Sequence, residues 1–171
     1  MNTPLHFTLN GQGVTLSSAK DPDGHERSLL DVLRHELGLK ATRLGCAQGQ
    51  CGACTVLNGE EAILACETWM SEMQGARITT LEGLGQAHEP HPLQAAFIHH
   101  QAAQCGFCTS GLIMQSAALL KRNAKPTVSE IEVALQANLC RCGVHERVIQ
   151  AVLMASGQGC HCTVHDTSGT P

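Results

Sequence analysis

Ten of the 171 residues are cysteines, and the spacing of eight of them limits the possible folds more than any other feature of the sequence. The first set lies in and after the glycine-rich segment GCAQGQCGAC, with the pattern C-x4-C-x2-C followed by eleven residues and a fourth cysteine. Its members are Cys46, Cys51, Cys54 and Cys66. This is the spacing of a plant-type [2Fe–2S] cluster, in which four thiolates converge on two irons. Glycines leave the backbone N–H groups of such a loop free to turn toward anionic sulfur.

The second set of four cysteines occurs in a part of the sequence with helical periodicity. The segment QCGFCTSGL places two thiols just before or within the first turn of a predicted helix, where residues three apart share a face. The positive end of that helix favours an anionic cluster. The segment NLCRCGVHERV places two more thiols in the bend between two later helices. The set is Cys105, Cys108, Cys140 and Cys142.

Zinc and disulfide bonds are the alternatives for these thiols. Zinc ligands usually come as two similar C-x2-C pairs, which the first set fits poorly, whereas zinc stays open for the second set taken alone. The amino terminus lacks a basic start followed by an apolar stretch, and no segment approaches the roughly 18 apolar residues of a membrane span. We therefore expect a cytoplasmic protein without a membrane span, in which disulfides are rare. The net charge is −4 and the sequence contains no run of basic residues, so no nucleic-acid partner is expected.

Short strands and one helix are predicted for the first half of the chain. Alternating residues 5–17 surround Asn10 and Gly11, which indicates a hairpin. Ser28 with Asp31 resembles a capping box ahead of leucines at helical spacing, and Gly38 can end that helix. Strands are predicted again at CTVLNG, AILAC and ARITTL. The first 80 residues therefore predict a small mixed sheet crossed by one helix.

Four helices are predicted after the polar segment EGLGQAHEPHP. One begins at Pro92, one covers TSGLIMQSAALLKRN, one begins at Ser129 with Glu132 as its capping box, and one carries Val148 and Leu153. The predicted organisation is a first domain over residues 1–82, a linker at 83–90, a helical domain over 91–155 and a mobile tail at 156–171. The predicted fold class is α+β.

Other residue patterns predict no further site. The ten histidines are scattered and lack the Cys and His pairing of a Rieske centre. Cys160 and Cys162 lie in the Gly-, Ser- and Thr-rich tail, and we leave them out of the clusters. A GxGxxG loop, a nucleotide motif and a nucleophile triad are all absent, so no substrate pocket is expected on this polypeptide.

Together the two thiol sets resemble the small iron–sulfur subunit of the molybdenum hydroxylases, the family of xanthine dehydrogenase, aldehyde oxidoreductase, isoquinoline oxidoreductase and carbon monoxide dehydrogenase. The motifs GCAQGQCGACTVLNG, QCGFCTSGLIM and NLCRCG carry the resemblance, which covers residues 5 to about 155. Relatives often continue with T-Y-x-x-I where this chain has VHERVI, so the surroundings of Val144 and His145 differ from the family pattern.

The resemblance implies a fold, cofactors and partners. The first domain would be plant-type ferredoxin-like with a β-grasp sheet, and the second a four-helix bundle, each holding one [2Fe–2S] cluster. A large partner subunit would carry molybdenum on a pyranopterin, and the electrons would leave through the first cluster to an FAD-bearing subunit or another acceptor. Gln104 and Cys142 would adjoin the pterin; a surface amide on a helix end is the alternative for Gln104. The chain would then be the iron–sulfur subunit of an oxidoreductase.

Two other functions remain open at this stage. One is a free-standing two-cluster electron carrier of the ferredoxin type. The other is a zinc-stabilised interaction protein, which would be colourless where an iron–sulfur protein is brown.

Overall fold

The computed structural model describes residues 4–159, and strands dominate the first half of that range. Helix α1 (Leu29–Asp31) is a single turn that continues as a π-helix over Val32–Glu36, and a 3-10 turn covers Met70–Glu72. The elements of this half are β1 (Leu5–Leu9), β2 (Gln12–Leu16), α1 (Leu29–Asp31), β3 (Thr55–Asn58), β4 (Glu61–Leu64) and β5 (Arg77–Thr79). The predicted hairpin and the three later strands are thus confirmed.

The five strands form one mixed sheet in the order β2-β1-β5-β3-β4. β1 pairs antiparallel with β2 and parallel with β5, while β3 pairs antiparallel with both β4 and β5. Asn10 and Gly11 close the first hairpin with φ values of 50° and 80°. Positive φ at both central residues is the geometry whose twist suits a two-residue hairpin.

The first helix begins where its capping residue predicts and then widens. The Ser28 hydroxyl accepts a hydrogen bond from the backbone N–H of Asp31. The backbone N–H of Leu37 then donates to the carbonyl of Val32, five residues back, instead of four as in an α-helix. Gly38 follows with a φ of 71°, which is the left-handed conformation that ends helices. The predicted helix is therefore present, but most of it is a π-helix.

Helices make up the second half of the described chain. They are α2 (Leu81–Leu84), α3 (Pro92–His99), α4 (Thr109–Arg122), α5 (Val128–Leu135) and α6 (His145–Ala155). α2 includes the first two residues of the segment predicted as a linker, and residues 85–90 form no helix or strand. None of the helices between residues 4 and 159 is both long and apolar enough to cross a bilayer. Strands followed by helices confirm the α+β class.

The prediction that Ser129 is the capping residue at the start of α5 is wrong by two residues. Thr127 is the capping residue: its hydroxyl accepts a hydrogen bond from the backbone N–H of Glu130, and the Glu130 carboxylate accepts one from the backbone N–H of Thr127. Both threonine and serine fit the pattern S/T-x-x-E, but the earlier pair satisfies two exposed N–H groups reciprocally. Ile131 is then completely buried.

Two apolar cores lie on the two sides of the sheet. One fills the space between the sheet and α1, with Phe7, Leu29 and Ile78 among its members. The other lies among α3, α4, α5 and α6, and it also contains Leu57 from β3. Because Leu57 belongs to the helical core, α4 packs directly against the sheet. This packing brings the loops that carry the two thiol sets next to each other.

Candidate metal centres

The first set of thiols is gathered by the loop before β3 and by the second residue after β4. The sulfur atoms of Cys54 and Cys66 lie 3.3 Å apart. The backbone N–H of Cys46 donates to the sulfur of Cys51 at 3.3 Å. Two further N–H groups, those of Gln48 and Gln50, donate to the sulfur of Cys46 at 3.4 and 3.2 Å. Backbone donors thus point at sulfur, which is the arrangement that stabilises an anionic cluster.

Glycine is required where this loop approaches its own thiols. A methyl group placed on Gly45 would lie 2.6 Å from the sulfur of Cys51. Gly49 and Gly52 have φ values of 64° and 69°, in the left-handed region that favours glycine. Ala47 adopts the same region at 54°. The loop is therefore shaped to leave room for sulfur and for a group bound to it.

The thiols of the first set differ in their affinity for protons. Hydrogen bonds from the backbone N–H groups of Gln50 and Gln48 lower the pKa of Cys46 to about 7. Burial raises the pKa of Cys54 to about 12. Cys46 is therefore substantially ionised at neutral pH, whereas Cys54 in the chain without a cation stays protonated. A bound cation removes that penalty, because metal ligation deprotonates thiols.

The second set lies at the ends of three helices. Cys108 is the residue immediately before α4, and Cys140 and Cys142 lie in the bend between α5 and α6. The thiols are close enough to affect one another: Cys142 contributes to the lowered pKa of Cys105, and Cys140 contributes to the raised pKa of Cys108. The bend turns through Gly143, whose φ is 75°. The structure thus brings together the four thiols that the sequence grouped.

Backbone donors also surround this second set. Burial raises the pKa of Cys140, but the N–H groups of Val144, Cys142 and Gly143 outweigh it, so the pKa is lower than usual. The N–H of Phe107 is the main cause of the lowered pKa of Cys105. Burial raises the pKa of Cys108 to about 12. Each set therefore contains a thiol whose pKa is lowered and a thiol whose pKa burial raises to about 12.

The donor chemistry of both sets fits [2Fe–2S] clusters. All eight thiols are free, and each set presents four sulfur ligands and no histidine. Next to Cys108, the buried hydroxyls of Thr109 and Ser110 have no hydrogen-bond partner. Unsatisfied buried hydroxyls are costly, so two polar groups that follow a ligand thiol in the sequence lack an acceptor in the chain alone.

Gln104 and the two residues between Cys105 and Cys108 are exposed. The side chain of Gln104 lies at the surface, as does Cys105 beside it. Cys142 is half-buried. Cys142 also contributes to the lowered pKa of Cys105, the residue after Gln104. Cys160 and Cys162, and with them most of the predicted tail, lie outside the described residues.

Contacts between the two thiol-bearing loops were not predicted from the sequence. The backbone N–H of Leu139 donates to the carbonyl of Cys51 at 3.0 Å. The side-chain amide of the buried Asn138 donates to the carbonyl of Gly52 at 3.2 Å. A methyl group on Gly111 of α4 would lie 2.1 Å from that same carbonyl oxygen. These contacts join residues far apart in sequence, so local patterns carry no signal of them.

One histidine lies close to two carboxylates in the first half of the chain. Asp21, Asp23 and His25 have potential ligand atoms within 4.8 Å of one another. His25 already forms an ion pair with Asp21 at 3.4 Å, and the side chains of His25 and Asp23 are exposed. The interaction of His25 with Asp21 in an exposed loop explains why these three side chains lie close together.

Comparison with protein families divides the chain between two kinds of cluster-binding domain. A family described as a 2Fe-2S iron-sulfur cluster binding domain matches residues 7–78. A second family, described as a [2Fe-2S] binding domain, matches residues 80–153. The two matches together cover most of the chain, and each contains one complete set of four thiols.

Relatives of known name match over nearly their whole length. Nicotinate dehydrogenase from Pseudomonas putida has a subunit that is 44% identical over 156 residues, which are 91% of this chain and 96% of the relative. The alpha subunit of isoquinoline 1-oxidoreductase from Brevundimonas diminuta is 44% identical over 152 residues, which are 89% of this chain and 97% of the relative.

Solved structures show the same similarity. The chain resembles a chain of quinoline 2-oxidoreductase from Pseudomonas putida 86 with a TM-score of 0.82 and 33% identity, covering 91% of this chain and 94% of that one. It resembles aldehyde oxidoreductase from Desulfovibrio gigas with a TM-score of 0.84 and 40% identity, but covers only 17% of that longer chain.

Proposed function

Because this chain belongs to the family of small [2Fe–2S] subunits of the molybdenum hydroxylases, we propose that it relays electrons from a molybdenum–pyranopterin site on a large partner subunit. The electrons would pass through two clusters to an FAD-bearing subunit or another acceptor. The sheet order β2-β1-β5-β3-β4 supports a plant-type ferredoxin-like β-grasp domain, and the four helices α3 to α6 support a helical bundle after it.

Each set of thiols would hold one cluster, and a bound cluster supplies reversible one-electron chemistry. The first cluster would be held by Cys46, Cys51, Cys54 and Cys66, and the second by Cys105, Cys108, Cys140 and Cys142. Backbone N–H groups directed at sulfur in both sets support this assignment, because they compensate the negative charge that the thiolates bring. The free state of all eight thiols supports it as well.

The hydrogen bond between the two thiol-bearing loops is the observation that carries the proposal. Leu139 precedes Cys140 of the second set, and its N–H donates to the carbonyl of Cys51 in the first set at 3.0 Å. This backbone hydrogen bond therefore joins Cys51, a ligand of the first set, to the residue immediately before Cys140, a ligand of the second set. Two sites with unrelated tasks need no such contact, whereas a relay requires its centres to be close.

Exposed apolar side chains near the second set support a permanent protein partner. Leu139, which precedes Cys140, is 62% exposed, and Phe107, which precedes Cys108, is 45% exposed. Large apolar side chains concentrated on one part of a surface are characteristic of protein interfaces. The partner would place its pterin near Gln104 and Cys142. An interface of this obligate kind commonly buries more than about 2,000 Å².

The test of the proposed function is isolation of the chain from its native host under anaerobic conditions. We expect copurification with a larger subunit that contains molybdenum. We also expect nicotinate, isoquinoline, quinoline or an aldehyde, the compounds named in the relatives, to bleach the cluster absorbance of the complex if one of them is its substrate. A chain that purifies alone and exchanges electrons with a soluble acceptor would favour the free two-cluster carrier instead.

A cytoplasmic location is part of the proposal. Eight ligand thiols must stay reduced until iron is inserted, and the cytosol keeps thiols reduced. Cell fractionation with an antibody against the chain tests this, and recovery in another compartment would contradict it.

A further inference from the structure

Asn138 is a buried polar residue that joins the helical half to the loop of the first thiol set. It lies three residues after the end of α5, and its backbone N–H donates to the carbonyl of Leu135 at 2.8 Å. The side chain is only 4% exposed, and its amide nitrogen donates to the carbonyl of Gly52 at 3.2 Å. A buried amide that loses such a partner is left without a hydrogen bond, which is unfavourable, so this contact holds the side chain in place.

The peptide group of Gly52 is held from three directions. Asn138 donates to its carbonyl from one side, and the backbone N–H and hydroxyl of Thr55 donate to the same oxygen at 3.2 and 2.7 Å. Gly111 of α4 approaches from another side so closely that a methyl group there would lie 2.1 Å from the oxygen. Gly52 itself has a φ of 69°, and a methyl group on it would lie 2.3 Å from the Asn138 amide nitrogen.

The hydrogen bond next to Asn138 connects the two thiol sets. Leu139 donates from its backbone N–H to the carbonyl of Cys51, so Asn138 and Leu139 bind two successive carbonyls of the first loop. The side chain of Leu139 is 62% exposed and does not shield this bond from water. Asn138 is buried, and its bond to Gly52 fixes the register in which Leu139 meets Cys51.

We propose that Asn138 is a positioning residue for electron transfer between the two clusters, acting through the register of the Leu139–Cys51 hydrogen bond. The inference rests on the proposed function, since it assigns Asn138 a part in that relay. Asn138 itself neither binds iron nor contacts substrate. Its effect is to keep the loop of Cys51 and the loop of Cys140 in one relative position.

The test replaces Asn138 by Asp, which keeps the size of the side chain but removes its donor and puts a carboxylate against the Gly52 carbonyl. The matched control is Asn10→Asp. Asn10 also makes long-range bonds, accepting from the N–H of Thr80 at 2.9 Å and donating to its hydroxyl at 3.1 Å, but it contacts neither thiol loop.

Two measurements on the holoprotein report the position of the loops. Hydrogen exchange of a peptide covering residues 136–140 should show the Leu139 amide exchanging up to about tenfold faster in Asn138→Asp, the change expected from loss of a typical hydrogen bond. In the dithionite-reduced chain, the magnetic interaction between the two clusters, measured by EPR at low temperature, should weaken. Asn10→Asp should leave both measurements as in the wild type.

The outcomes separate this inference from the proposed function. Suppose that both variants show two EPR signals and that Asn138→Asp changes neither the exchange of the Leu139 amide nor the magnetic interaction between the clusters. This result would overturn the role of Asn138 and leave the relay intact. A single EPR signal in the wild type would instead refute the two-cluster relay itself. If Asn138→Asp fails to retain its clusters, Asn138→Ser, which keeps a shorter donor, replaces it, and unaltered exchange in that variant would likewise overturn the inference.

Discussion

Replacement of Gly111 by Ala tests whether α4 must lie directly on the loop of the first thiol set. Gly111 is in the first turn of α4, where alanine would ordinarily stabilise a helix by about 0.8–1 kcal/mol relative to glycine. The added methyl group, however, would lie 2.1 Å from the carbonyl oxygen of Gly52 and 3.1 Å from the α-carbon of Ala53. The atoms in its way belong to the backbone and cannot rotate aside.

The size of the expected loss follows from this distance. An ordinary contact begins at 3.4 Å, so α4 and the loop must separate by about 1.3 Å. Overpacking of this kind typically costs about 1–3 kcal/mol, which exceeds the gain in helix propensity. Because the obstructing atoms are backbone, we place the cost in the upper part of that range, at about 2–3 kcal/mol, and expect a net loss of about 1–2 kcal/mol. For a chain of this length this corresponds to a fall of about 2–8 °C in the unfolding midpoint.

The assay is thermal unfolding of the holoprotein under anaerobic conditions, with every variant heated at the same rate because loss of a cluster makes unfolding irreversible. Gln115→Ala is the control, since it changes a partly exposed residue of the same helix and should stay within about 0.5 kcal/mol of the wild type. A midpoint for Gly111→Ala equal to or above that of the wild type would show that the close packing of α4 on Gly52 does not exist in solution.

Three further predictions concern the thiols, Gln104 and the start of α5. Cys51→Ala should remove one of two EPR signals of the reduced chain and leave the other; loss of both would show that the two sites are not independent. Gln104→Ala should retain both clusters but slow substrate-driven cluster bleaching in the assembled enzyme, and an unchanged rate would make Gln104 a surface amide. Thr127→Ala should lower the free energy of unfolding by about 1 kcal/mol at pH 7. Hydrogen bonds from Thr127 lower the pKa of the Glu130 carboxyl group. The stability that the ionised carboxylate contributes is therefore present above its usual pKa and is lost as the pH falls through the lowered value. The difference between wild type and Thr127→Ala in urea unfolding should therefore become smaller at acid pH, because the bond from the Thr127 hydroxyl to the Glu130 carboxylate is weakened while the bond from the Glu130 N–H to that hydroxyl remains. A constant difference would show that the bond to the carboxylate contributes no stability.

Local patterns in the sequence were sufficient for most elements of the fold. The Asn10–Gly11 pair predicted the first hairpin, Ser28 predicted the start of the first helix, and Pro92 predicted the start of α3. Each of these signals acts within a few residues, through turn geometry or capping, so one sequence reveals it. The start of α5 was misplaced because Thr127 and Ser129 both satisfy the same local pattern, and only the structure shows which pair forms.

Contacts between distant segments could not be predicted. The thiol spacing grouped eight cysteines into two sets, but it carried no information on how the sets face each other. Gly111 and Asn138 contact Gly52 from segments 59 and 86 residues away. Neither residue type signals such a contact, because glycine in a helix and asparagine after a helix have common local explanations. The arrangement that favours a relay is therefore visible only in the folded chain.

The most direct test of the two-cluster relay is analysis of iron, acid-labile sulfide and EPR signals in one anaerobic preparation of the chain. Two [2Fe–2S] clusters predict about four irons and about four sulfides per chain, and after reduction with dithionite two distinguishable signals. A fully loaded chain with about two irons and one signal would contradict the account, as would a colourless chain that contains zinc.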